Sequence, residues 1–156
     1  MSLRAIIVLV CMMALAPIKP SLGEEGHDYT ELGRVEGYKI SSYQEWRFNR
    51  AVFVLPGHNL TVEGHLFNIH YEPDHGQPAS QLEIYRSYKL ILDQLAGETL
   101  KYEELQEGGL IGRFNRNGLS VYFEVDATNY GPYQIWVLEE MPFRPLITPP
   151  GAPPKS

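Results

Sequence analysis

One change of rhythm constrains this chain more than any other feature. Leu82, Tyr85, Tyr88, Leu92 and Leu95 recur at steps of three and four residues. From Leu119 the step becomes two: Leu119, Val121, Phe123 and Val125 alternate strictly with Ser120, Tyr122, Glu124 and Asp126. The first spacing lines one face of a helix, the second one face of a strand. A single helix followed by strands fits few architectures, because each apolar face needs another to bury it. The pattern predicts an α+β fold in two layers, an antiparallel sheet packed against one main helix.

Local signals place the breaks. Ser80 with Glu83 three residues later is a capping box, in which the hydroxyl accepts from the Glu83 amide and the carboxylate reaches back. Gly97 is expected to supply the left-handed residue that ends the helix. Strands are expected at Tyr38 to Trp46, Ala51 to Leu55, Leu60 to Tyr71, Thr99 to Glu103 and Leu110 to Phe114. Gly64 marks a bulge within the third of these. Turns fall at Pro56-Gly57-His58-Asn59, Asn115-Arg116-Asn117-Gly118 and Asn129-Tyr130-Gly131-Pro132. Tyr133, Ile135 and Val137 line one face of the last strand. Short loops make the strands after the helix a meander.

The ends have a different composition. Met1 to Arg4 is a short basic start, Ala5 to Ala16 is a 12-residue apolar run, and Ser21-Leu22-Gly23 offers small residues for cleavage before Glu24. A bilayer span needs roughly 20 apolar residues, so residues 1–23 read as a secretory signal peptide. The expected location is outside the cytoplasm. Cys11 is the single cysteine. It lies in mid-run after the branched Val10, a poor context for lipidation. Residues 24–36 read as a polar lead-in, 37–141 as the one folded domain, and 142–156 as a proline-rich disordered tail.

Charge and motifs narrow the function classes. Without Arg4 and Lys19, 11 basic residues face 19 acidic ones, a formal charge of −8. That balance argues against nucleic acid as a partner, since its binding rests on neutralising phosphates. No G-x-S-x-G serine context and no phosphate-binding glycine loop occur. No catalytic residue and no cofactor is therefore assigned. His58, His65, His70 and His75 cluster with Glu72 and Asp74, and imidazole with carboxylate suits zinc or nickel. Yet His65 and His70 differ by an odd number and face opposite sides of a regular strand. His65, His70 and His75 are thus weak metal candidates. Glu103, Glu104 and Glu107 beside Gly108-Gly109 read as a solvated turn.

Several segments resemble a domain that precedes the peptidoglycan-binding module in some exported OmpA-family envelope proteins of Gram-negative bacteria. They are Gly37 to Tyr43, Thr61 to Gly64 leading to Ile69-His70-Tyr71, Gln81 to Tyr88, Leu95 to Glu98, and Asn117-Gly118 with Val121 to Val125. The stretch covers roughly Gly37 to Glu140. The resemblance implies a periplasmic or outer-membrane-associated domain with no established activity. It does not extend to the wall-binding module, whose activity is not carried over.

The resulting expectation is a non-enzymatic, monomeric periplasmic module that binds an envelope protein or cell-wall component. A small-molecule or lipid carrier is the second reading and a hydrolase the third. The expected partner surface is the sheet face turned away from the helix. If Val121, Phe123, Ile135 and Val137 face the helix, alternation sends Tyr122, Trp136 and Leu138 the other way.

Overall fold

Asn117 and Gly118 both adopt positive φ, 50° and 83°. That is the geometry a two-residue hairpin loop requires, and it joins β4 (Leu110–Arg116) to β5 (Leu119–Ala127). The chain is described by a computed structural model, which covers residues 26–104 and 108–147. The signal-type segment 1–23, with Cys11, and most of the proline-rich segment lie outside the described residues. The other elements are β1 (Tyr38–Leu55), β2 (His58–Pro73), α1 (Gln81–Gln94), β3 (Glu98–Tyr102) and β6 (Tyr133–Glu140). All six strands form one antiparallel sheet in the order β1-β2-β6-β5-β4-β3. The fold is mixed α+β, as the change of spacing predicts. Among the described residues, no helix is long and apolar enough to cross a membrane.

The helix starts as expected. Glu83 N donates to Ser80 Oγ at 3.2 Å and Ser80 N to Glu83 Oε2 at 2.7 Å. Its end differs. Ala96, not Gly97, takes the left-handed conformation, with φ of 53°. Gly97 N donates to Leu92 O and Ala96 N to Asp93 O, the paired bonds of a Schellman ending. Gly97 is required for space, because a Cβ there would strike the Leu92 side chain and the Arg113 carbonyl. Ile84 joins Tyr85, Tyr88 and Leu92 on the buried face, and Leu82 sits at the rim.

The N-terminal half departs further from expectation. The two predicted strands merge into the 18-residue β1. Trp46 pairs with Leu66 and Asn49 with Gly64, so Arg47 and Phe48 together oppose the single His65. The bulge therefore lies in β1, opposite the region where Gly64 led it to be expected. Gly64 itself answers to a neighbour: a Cβ there would run into the Glu139 carbonyl of β6.

The bulge has a larger consequence. From Gly64 to Tyr71, β2 pairs with both β1 and β6; from His58 to Glu63 it pairs with β1 alone. A bulge bends its strand, and here it lies where β6 support ends. On a flat sheet β1 lies three strand spacings from β5, about 14 Å. Yet the Phe53 ring stacks on Tyr122 with centroids 6.0 Å apart. The end of the β1–β2 hairpin curls back over the sheet as a flap.

Two clusters result. On the helix side, Ile84, Tyr85, Tyr88 and Leu92 bury against Phe67, Ile69, Tyr71, Val121, Phe123, Ile135 and Val137. On the other side, Phe53, Val62, Leu66, Ile111, Tyr122 and Leu138 form a second cluster.

The described part of the lead-in, residues 26–36, joins the helix-side core, which moves the start of the folded domain ahead of the expected residue 37. Tyr29 and Leu32 are 4% and 1% exposed. Tyrosine hydroxyls pin this segment. Val35 N donates to Tyr133 Oη at 3.0 Å, Tyr88 Oη to Gly33 O at 3.1 Å, and Tyr71 Oη to Asp28 Oδ1 at 3.1 Å. Burial pushes the Tyr133 phenol up to about 12 and that of Tyr88 well above its ordinary value.

Candidate functional site

Of the three residues expected to form an open aromatic surface, the flap covers two. Tyr122 and Leu138 are buried, 8% and 0% exposed, beneath Phe53 and its neighbours. They belong to a core, so the patch as expected does not exist. The physical reason is non-local: the polar alternation of an antiparallel sheet predicts a wet second face, but here β1 and β2 supply their own cover. Trp136 is half-buried at the edge of that cover. Its indole stacks on Trp46, centroids 6.2 Å apart and planes within 12°.

Beside Trp136 the face turns polar. Glu124 of β5 is the register partner of Trp136, Asp126 that of Gln134, and Asn68 of β2 lies across Trp136 on its other side. Asn68 Nδ2 donates to Gln134 Oε1 at 3.4 Å, and Gln134 Nε2 to Asp126 Oδ2 at 3.2 Å. Gly108 N donates to the second Asp126 oxygen at 3.2 Å. Asp126 is thus held from both sides. Glu124 is not: among the described residues, no hydrogen-bond donor reaches its carboxylate. Burial, then the charge of Asp126, hold its carboxyl above the ordinary carboxylate range, and Lys101 pulls the other way. The Gly108 backbone presses close, since a Cβ there would lie 2.6 Å from Glu124 Oε1.

Glu124 and Trp136 open into a groove of about 260 Å³ under the flap, lined also by Arg50, Ala51, Val52, Phe53 and Leu66. Ordinary alternation reads Glu124, Asp126 and Gln134 as outward polar positions, so the sequence carries no signal that would single them out.

The histidines do not converge. His65 faces the helix side, where its Nε2 lies 2.7 Å from Glu45 Oε1 and its Nδ1 lies 3.5 Å from Glu139 Oε2. Tyr29 Oη and Arg116 Nη1 both donate to Glu139 Oε1, and Arg116 Nε meets Glu31 Oε1 at 2.8 Å. The Tyr43 hydroxyl, then His65, holds the Glu45 carboxyl below its usual range. His70 lies on the opposite face beside Asp126 and Gln134. His75 is exposed in a loop, 3.5 Å from Asp74. Among the described residues, no three histidine, cysteine or acidic side chains come together to hold a metal ion.

A scan against known protein families finds no match for this chain, and neither does a search of the curated proteins.

Proposed function

We propose that the chain is an exported periplasmic module that binds an envelope protein or cell-wall component as a monomer, without transforming it. The N-terminal signal pattern and the resemblance to the OmpA-associated domain support the address. On this reading the fold is a two-layer frame of helix on sheet, and the flap adds a binding edge to it. The observation that carries the binding role is the groove itself. A stacked indole pair meets a carboxylate that no described residue donates to, at the margin of a covered core, and aromatic side chains that keep one margin open are common anchors for partners.

The test is a photocrosslinking residue at Val52, which lines the groove and is 51% exposed. In intact cells it should give a discrete adduct that Trp136→Ala weakens. The same probe at Leu90, exposed on the outer face of α1, should give none. Equal adducts from both positions, or none from either, would count against the reading. Fractionation showing the chain in the cytoplasm would remove its address.

A further inference from the structure

The groove's chemistry narrows what fits it. Its walls are apolar: Ala51, Val52, Phe53, Leu66 and the Trp136 ring. Its polar floor is Glu124. The groove's own cation, Arg50, is occupied by Glu63, which accepts from Nε at 2.9 Å and Nη2 at 2.6 Å. Lys101 acts on Glu124 from a distance and lies 3.8 Å from Glu103. Asp126 adds a second negative charge on the same face. A half-buried carboxylate with no donor among the described residues favours a nearby cation, and the face of an indole attracts one. An anionic ligand is repelled here, and a neutral one leaves the charge uncompensated.

We infer that this groove binds an ammonium group on an apolar stem, the charge seated at Glu124 and the stem against Trp136 and Phe53. The inference rests on reading this face as the binding surface and gives that surface its ligand chemistry. The ammonium comes either from a free alkylamine or from a lysine side chain of a partner protein. Lys101 is then an internal competitor for the same carboxylate.

Trp46 and Trp136 are the two tryptophans of the chain and stack on each other beside the groove, so tryptophan emission, excited apart from the tyrosines, reads this site. Pentylamine should shift the emission saturably, and pentanol, with the same stem and no charge, should not. Glu124→Gln should weaken pentylamine about tenfold or more, the scale of losing a charge-assisted contact, while melting no lower than the parent. Lys101→Met should tighten it. Saturation by Nα-acetyl-lysine methylamide as well assigns the amine to a protein side chain; saturation by pentylamine alone assigns it to a small molecule. Identical responses to pentylamine and pentanol, or an unchanged affinity in Glu124→Gln, would overturn the inference. A Val52 adduct that depends on Trp136 but not on Glu124 would defeat the amine and leave the partner reading standing. Amine binding without any adduct would do the reverse.

Discussion

The two faces of the sheet are both covered, but by different means. On the helix side, α1 and the lead-in are locked by hydroxyls: Tyr85 Oη accepts from Gly109 N at 3.3 Å and Ala127 N at 3.2 Å, and Tyr88, Tyr133 and Tyr71 hold residues 28–35. On the other side, the cover is a two-stranded flap held by ring contacts, Phe53 on Tyr122 and Trp46 on Trp136. Directional bonds at fixed points make the first cover rigid. Ring contacts have no such fixed points, so the second cover is expected to shift more readily. The groove lies on that side.

Equivalent truncations measure this difference. Phe123→Ala, at 0% exposure on the helix side, should cost about 3–5 kcal/mol, the range for a ring removed from a core that cannot collapse. Phe53→Ala, at 1% exposure, should cost about 2 kcal/mol, because the flap can settle onto Tyr122. Equal losses in urea denaturation would show the flap to be as integral as the helix. Native-state hydrogen exchange sharpens the point: amides of Ala51 to Val62 should exchange faster than those of Leu66 to Tyr71.

Next in size is Tyr85→Phe. It removes one oxygen and leaves two buried amides without an acceptor, so a loss of about 1–3 kcal/mol is expected. A change within error would mean that water replaces the hydroxyl.

A smaller effect, and opposite in sign, is expected at Ala96. An L-residue in left-handed geometry costs about 1 kcal/mol, so Ala96→Gly should stabilise the domain by up to about that amount. A lower melting temperature would refute the Schellman ending.

The smallest effect lies in the groove. The folded-state pKa of Glu124 is raised, so folding takes up protons and stability grows as pH falls through that raised value. Glu124→Gln should therefore melt slightly higher than the parent at pH 7, and the margin should vanish as pH falls towards the ordinary value of 4.5. A margin that widens in acid would place Glu124 in an ion pair instead.

What was legible in the sequence was local. The Ser80–Glu83 box, the Asn117-Gly118 loop and the alternation from Val121 to Val125 each act over a few residues, and each stands where the spacing puts it. The rest depends on distant partners. Tyr29 and Leu32 sit among charges, and only contact with Phe67 and Phe114 turns that polar stretch into core. Phe53 and Tyr122 are far apart in the chain, and nothing near either residue announces their stacking. The candidate site inherits that blindness. Trp136 was legible as a residue of the second face; that Tyr122 and Leu138 would be roofed, and Glu124 left at the groove, follows from a bend in β1 that no turn residue encodes.

Gly26, the first of the described residues, lies against β1, where a Cβ on it would meet the Tyr43 side chain. The C-terminal stretch passes β1 again, where Phe143 meets Phe48 with ring centroids 5.4 Å apart. Five positions along one strand span no more than about 17 Å. Tethers attached at these two places would pull from the same margin of the molecule. Tension between them would fall on β1, on its nearest neighbours and, through Tyr29 and Glu31, on Phe114 and Arg116 of β4, while β3 at the far margin stays outside the load path. A domain held this way hangs like a pennant from one side, its far edge unburdened.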